Sequence, residues 1–357
     1  MNLPLQAPRP PRSPWQWFYG AVHRLRRHWL SRRAERLSRP VVSIGNLHWG
    51  GTGKTPMVAA IAAHLRDAGR RVAILSRGYG RRDQEVRVVS DGEGPLLGPR
   101  LAGDEPVLLA GMLSGVAVVV GSDRYRAGRH ALERLEQKPE IFVLDDGFSH
   151  LGLVRDLDLL TFPAADPFAG GRLPPSGRLR EPLASAARAD AVLLTGVPMV
   201  DRSEPATAEL GEAGEELARA LRPYGFAGPG FGSRTMAGEP QYLTAGRVPP
   251  GGRALVVSAI ARPLVFLEIV RALGFEIAEH LSFPDHHRYP PASIEKIFQV
   301  YHQRGATLVL TTGKDRVKLQ GRLELPLAEV PIRAEPQDSF FRWLDDRLAE
   351  IGDGTGP

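Results

Sequence analysis

Residues 41–56 read VVSIGNLHWGGTGKTP, a β-branched run followed by Gly50-Gly51-Thr52-Gly53-Lys54-Thr55 and then Pro56. Glycines allow successive backbone N–H groups to curl around phosphate oxygens, and the N-terminus of the helix that follows adds positive potential. Lys54 is placed to reach the β- and γ-phosphates, the Thr55 hydroxyl to ligate Mg²⁺, and Pro56 in the first helical turn loses little by lacking an N–H. His48 stands where the strict phosphate-loop pattern has its first glycine. The spacing therefore predicts a nucleotide phosphate site built from His48, Trp49, Gly50, Gly51, Thr52, Gly53, Lys54 and Thr55. A Gly-rich turn that binds nothing would leave Lys54-Thr55 without a purpose.

Such a loop needs a metal-holding acid at the end of a neighbouring strand. The apolar run Ile141–Leu144 ends in Asp145-Asp146, two carboxylates expected to position Mg²⁺ directly or through water. Phosphoryl transfer to an alcohol also needs a group that orients or deprotonates the acceptor. The candidates are Asp104 and Glu105 in GDEP and the cluster Pro284-Asp285-His286-His287-Arg288-Tyr289. GDEP is equally good chemistry for opening a helix. Adjacent histidines do not point at one metal, and no HExxH is present, so a loop base or a histidine that orients a carboxylate suits the cluster better. Arg124, just after a strand in Ser122-Asp123-Arg124, is a candidate clamp on a transferring phosphoryl group, with an ordinary solvated helix arginine as the plain alternative. Thr311-Thr312-Gly313-Lys314-Asp315 has Lys and Asp adjacent rather than spaced as in a guanine-recognition loop, which favours ATP over GTP.

These residues must be held by a scaffold, and the chain from Arg39 onward alternates short β-branched runs with helical stretches. Strands are expected at 41–44, 72–76, 86–90, 116–120, 141–144, 157–162 and 191–195, with helices at 56–68 and 124–135. Such alternation predicts an α/β fold with a mostly parallel sheet of the P-loop type and helices on both faces. An acidic helical stretch at 201–222 leads into a Pro/Gly-rich segment, 223–252, that reads as a boundary. A second set of strands and helices follows, ending in a helix near 339–351. The expected organisation is an N-terminal arm over 1–39, a nucleotide-binding domain over 40–222 and a smaller α/β domain over 223–357 that closes the cleft.

The charge is distributed unevenly along the 357 residues, whose formal total is +6. Residues 1–39 hold nine arginines, no lysine and one acid, leaving 37 bases against 39 acids elsewhere. Trp15, Phe18, Val22, Leu25 and Trp29 recur at the period of one helix face, flanked by arginines able to snorkel. An amphipathic helix of aromatics and arginines suits an anionic membrane surface, here through residues 15–37. Docking on the protein's own body and binding nucleic acid are the alternatives, and the body carries no basic stripe for nucleic acid. The absence of cysteine excludes disulfides, a Cys-based zinc site and a thiol nucleophile. No run reaches the length of a spanning helix, and the apolar residues near the N-terminus are too interrupted for a secretory signal.

Taken in order, Gly45-Asn46 with GGTGKTP, SRGYG (76–80), GDEP (103–106), Asp123-Arg124, DDGF (145–148), GRLREP (177–182), ARP (261–263), FPDHHRY (283–289) and TTGKD (311–315) resemble the tetraacyldisaccharide 4'-kinases, the lipid A 4'-kinases of Gram-negative bacteria. The resemblance implies transfer of the ATP γ-phosphate to the 4'-hydroxyl of a tetraacylated glucosamine disaccharide 1-phosphate, giving lipid IVA at the cytoplasmic face of the inner membrane. It implies two α/β/α domains with the site in the cleft between them. It maps Asp104 and His286 onto the dyad that activates the acceptor, and places Glu105, Asp145 and Asp146 around Mg²⁺. Arg178 and Arg180 become candidates for the phosphate already on the substrate. Ser149 stands where the family usually has Gln, and Gly313 where it usually has Glu. The GGTGKT core also resembles dimeric switch ATPases, but those place lysine just before the two glycines, where this chain has Trp49.

Overall fold

The computed structural model describes Leu5, Pro8, Gly20 and residues 32–197, 207–244 and 252–353. Of the amphipathic arm expected over 15–37, only Gly20 and residues 32–37 are among the described residues. At its end Leu37 is buried, and Arg36 pairs with Asp156 at 2.6 Å.

The larger sheet has nine strands. In chain order they are β1 (Val41–Gly45), β2 (Val72–Ser76), β3 (Arg87–Ser90), β4 (Ala117–Val120), β5 (Ile141–Asp145), β6 (Leu157–Pro163), β7 (Ala191–Thr195), β8 (Gly230–Ala237) and β14 (Ile332–Pro336). Their spatial order is β14-β8-β7-β6-β1-β5-β2-β4-β3. Pairing is parallel throughout the interior, and the two edge strands, β14 and β3, run antiparallel to their neighbours. Strands buried on both faces read as continuous apolar runs. Along β1 and β5, Val42, Ile44 and Val143 enter one core while Val41, Phe142 and Leu144 enter another. The helices cover both faces, as the alternation predicts.

β1 lies between β5 and β6, where the chain order turns back on itself, and open parallel sheets bind ligands at the carboxyl ends of strands at such a point. The register aligns Ile44 with Asp145 and Gly45 with Leu160. The loop leaving β1 and the acids ending β5 thus emerge at the same rim.

The smaller sheet has the order β11-β10-β12-β13-β9, built from β9 (Gln241–Tyr242), β10 (Arg253–Ser258), β11 (Glu276–Ser282), β12 (Leu308–Thr312) and β13 (Leu327–Val330). It is parallel apart from β9.

The sheets divide the chain differently from the expected boundary at 222/223. β8 and β14 both belong to the larger sheet, and the C-terminal helix Asp338–Asp353 buries Phe340, Leu344 and Leu348 in the same core as Met57, Ile61 and Leu65 of the helix Lys54–Asp67, whose His64 stacks on Phe341 at 4.3 Å. The chain leaves the nucleotide-binding body after β8 and returns to it at β14. The Gly-rich composition that reads as a linker has a packing cause. A Cβ at Gly230 would fall on the carbonyl oxygen of Gly214, and one at Gly232 on that of Leu210. The helix Thr207–Leu221 lies directly on the β8 backbone, a close approach that needs glycine.

Gly230→Ala is expected to cost about 1–3 kcal/mol, as overpacking a closed core does. The midpoint of urea unfolding measures this, and an unchanged midpoint would contradict the contact.

Candidate active site

The helix Lys54–Asp67 begins directly after Gly53, whose φ of 73° and ψ of 14° place it in the left-handed region. Lys54 Nζ donates to Asn46 Oδ1 at 2.9 Å and meets Asp146 Oδ1 at 3.1 Å. Asn46 Nδ2 donates to Thr52 Oγ1 at 2.8 Å, and Thr195 Oγ1 from the end of β7 donates to the Thr52 carbonyl at 2.8 Å. The loop is thereby held by three strand ends. His48 is buried with its ring edge-on to Phe162 at 5.7 Å, and burial lowers its pKa to about 4, so it is neutral. Trp49 is exposed beside it at the mouth of a cleft that Arg178, Ala261 and Arg262 also line.

The two acids after β5 differ sharply. Asp145 is fully buried, accepts from Ser76 Oγ at 2.9 Å, and is pushed up to about 6 by burial first and then by the neighbouring Glu105 and Asp146 carboxylates. Asp146 is only partly withdrawn from water, its side chain 38% exposed, and that withdrawal opposes its ionisation. The hydrogen bonds of Arg180 at 2.9 and 2.7 Å and the charge of Lys54 outweigh that and hold it below the usual carboxylate range. Arg180 further donates to the Asn46 carbonyl at 3.1 Å, so it clamps the phosphate loop to the strand-end acid. Arg178 instead turns outward to pair with Asp166.

Arg124 is 4% exposed, which sets aside the solvated reading. It donates to the carbonyls of Ser122 at 3.0 Å and Gly121 at 3.4 Å, and burial lowers its pKa to about 10 against the pull of Asp145 and Asp146. A cation held in a poorly solvated place by backbone carbonyls keeps its charge directed at the nearby acids.

The GDEP segment opens the helix Asp104–Met112, but Gly103 takes the capping position and the Asp104 carboxylate turns elsewhere. Asp104 Oδ2 lies 3.5 Å from His286 Nδ1 and 3.4 Å from Lys318 Nζ. Burial opposes its ionisation, yet the hydrogen bond from His286 and the Lys318 charge hold its pKa below the usual range, while that same bond raises His286. Glu105 pairs with Lys314 and senses the charges of Lys54 and His286. Among the clustered histidines, only His286 faces this acid. His287 Nε2 is bonded to Ser293 Oγ at 2.8 Å and stacks on Phe283 at 4.7 Å, a structural role. From the other side the SRGYG loop closes on the same place, with Tyr79 5.4 Å from the His286 ring and Arg288 donating to the Gly80 carbonyl at 3.3 Å.

The structure thus brings together Lys54, Glu105, Asp145 and Asp146, sets Asp104 with His286 beside them, and leaves Arg178 at the rim of the phosphate-loop cleft, paired with Asp166. Sequence reasoning gave no role to Asn46, Ser76, Lys314 or Lys318. The first three lie inside the motifs GN, SRGYG and TTGKD, a signal that was available. Lys318 carries none.

Comparisons with known proteins identify the family. The family model for tetraacyldisaccharide-1-P 4'-kinase matches residues 12–349. A tetraacyldisaccharide 4'-kinase of Geobacter sulfurreducens is 40% identical over 332 residues, covering 90% of this chain and 87% of that protein. One from Syntrophus aciditrophicus is 38% identical and spans 93% of both chains. A crystal structure of LpxK from Aquifex aeolicus in complex with ATP superimposes with a TM-score of 0.69 at 30% identity, covering 95% of this chain and 97% of that one. With the family model matched over nearly the whole length, the chain belongs to the tetraacyldisaccharide 4'-kinase family.

Proposed function

We propose that this kinase transfers the γ-phosphate of ATP to the 4'-hydroxyl of tetraacyldisaccharide 1-phosphate, forming lipid IVA in lipid A biosynthesis, with the residues above in the following roles. The observation that carries the assignment is the meeting of Asp104, on a helix packed against the larger sheet, with His286, in the loop after β11 of the smaller one, beside a phosphate loop whose lysine rests on a strand-end acid.

Lys54 and the amides of residues 50–55 bind the β- and γ-phosphates and hold the γ-phosphorus in line with the acceptor. Asp104 takes the proton of the 4'-hydroxyl as the O–P bond forms and the bond to the leaving ADP oxygen breaks, and His286 holds that carboxylate in place. Arg124 and Lys54 offset charge on the transferring group. Arg180 keeps Asp146 ionised and the loop aligned.

Mg²⁺ fits the residues present. Among the described residues no group of three or more His, Cys, Asp or Glu gathers to hold a metal unaided. The buried Asp145 Oδ1, however, has no hydrogen-bond partner. A few hard oxygen donors, completed by phosphate and water, are what this ion prefers. Thr55, Asp145 and Asp146 would hold it, with Glu105 nearby, and when bound it neutralises charge on the phosphates.

The acylated acceptor places the enzyme at a membrane. Among the described residues no helix is long and apolar enough to cross one. The arm over 15–37 supplies the alternative, an amphipathic segment seated on the anionic cytoplasmic face of the inner membrane.

Labelled ATP, Mg²⁺ and the tetraacyl disaccharide 1-phosphate in detergent micelles test the reaction. Lipid should acquire label with the intact protein, Lys54→Ala should lower kcat at least about a hundredfold, and Asp104→Ala by about 10²–10⁴. Unlabelled lipid from the intact protein would sink the kinase assignment.

Asp145 yields a pH prediction. Its folded pKa of about 6 lies above the ordinary 3.8, so the folded state binds the proton more tightly and stability falls as pH rises between those values. Asp145→Asn should therefore melt above the wild type at pH 8, with the gap closing below pH 4. A constant gap would show that ionisation is not the cause.

Deleting residues 1–38 should move the protein from the membrane fraction to the soluble one. Unchanged sedimentation with membranes would refute the arm's role.

A further inference from the structure

Asp104 and His286 come from different sheets, and neither segment alone fixes one against the other. Asp104 opens a helix packed on the nine-stranded sheet. His286 sits in the loop after β11, with φ at 61°, in the left-handed region that a residue with a side chain seldom adopts. Its N–H donates to the Ala259 carbonyl at 3.3 Å and to Asp285 Oδ1 at 3.1 Å.

Lys318 joins the two. It lies on the short helix Gly313–Leu319 that follows β12, with its side chain 7% exposed. Its ammonium reaches Asp104 Oδ2 at 3.4 Å and Asp315 Oδ1 at 3.1 Å, and stands 5.6 Å over the ring of the buried Tyr289. Asp315 is wholly buried, and its other oxygen accepts from the Ala259 N–H at 2.8 Å and from Thr312 Oγ1 at 2.8 Å. The Ala259 peptide is therefore gripped by Asp315 at its N–H and offers its carbonyl to His286. One continuous path runs from the Asp104 carboxylate through Lys318, Asp315 and Ala259 to the backbone of His286.

The chemistry of this path differs from that of an ordinary ion pair. Both Lys318 and His286 make an ion-pair contact with Oδ2 of Asp104, so the two cations converge on one carboxylate oxygen. An ammonium has three donors and no fixed plane, so one lysine can serve Asp104 and Asp315 together from opposite sides. Buried charges are tolerated only when paired, and Lys318 is shared between two carboxylates from two halves of the molecule, with His286 as the further partner of Asp104.

We infer that Lys318 is a positioning residue for phosphoryl transfer: through its ion pairs with Asp104 and Asp315 it sets the proton-accepting carboxylate against His286. The inference rests on the kinase assignment above. It adds a third member to the acceptor-activating pair, one that touches neither the acceptor nor ATP.

The test compares Lys318→Met and Lys318→Arg in the micelle assay, with kcat, both KM values and the melting temperature measured. Lys318→Met should lower kcat about 10- to 100-fold, the scale of a small misplacement, with KM for ATP changed by no more than about twofold. Lys318→Arg, which keeps the charge, should recover at least a tenth of the wild-type kcat. In an Asp104→Asn background the Lys318→Met change should cost less than about twofold further, because its effect passes through that carboxylate. Where Lys318→Met alone does not fold, Lys318→Met combined with Asp315→Asn leaves no orphaned charge and is read by the same criteria. A kcat within twofold of wild type in a folded variant, or an equal loss in the Asp104→Asn background, would overturn the inference. Failure of the wild type to label lipid would instead overturn the kinase assignment.

Discussion

Two neighbouring acids on one helix and two lysines on another hold this site together. Asp104 and Glu105 belong to the body built on the nine-stranded sheet, and Lys318 and Lys314 to the helix that leaves the five-stranded one. Charges withdrawn from water are costly unless matched. The pairs close only when the helix Gly313–Leu319 lies against Asp104–Met112, so charge neutrality and the placement of the two sheets become one condition. His286 then reaches Asp104, and the Tyr79 loop closes over it.

Within the nucleotide half, charge is arranged by contrast. Asp145 and Asp146 are adjacent, the first buried and the second partly exposed, and one is pushed towards its neutral form while the other is held ionised. The difference lies in their partners. Asp145 has a serine hydroxyl and acidic neighbours, whereas Asp146 has a bidentate arginine and a lysine. Such a split between neighbouring carboxylates marks sites that handle charge, and a divalent cation beside Asp145 would relieve the repulsion that raises it.

The backbone concedes conformational strain at two of these places. Asp146 has φ at 55° and His286 at 61°. For residues with side chains the left-handed region costs free energy and persists where surroundings over-determine it. Arg180 and Lys54 fix Asp146, and Asp104 with the Ala259 carbonyl fixes His286. In both cases the unusual turn aims a functional side chain into the cleft.

The sequence by itself determined the phosphate loop, the strand ending in two acids and the mostly parallel sheet, because each rests on contiguous residues whose period or spacing is the physical signal. Spacing alone narrowed the acceptor-activating candidates to two segments, and only the resemblance singled out Asp104 and His286. The sequence could not show that Gly103 rather than Asp104 caps the helix, nor that His287 is bonded to Ser293 while His286 faces Asp104, since those contacts depend on what stands opposite. Nor could it see that β14 and the C-terminal helix return to the larger sheet, or that Gly230 and Gly232 belong to a packed strand rather than a linker. Only the tertiary structure decided these points. Pairing of charges and close contact of backbones act between segments more than two hundred residues apart, such as Asp104 and Lys318 or Glu105 and Lys314, and no local pattern encodes the partner.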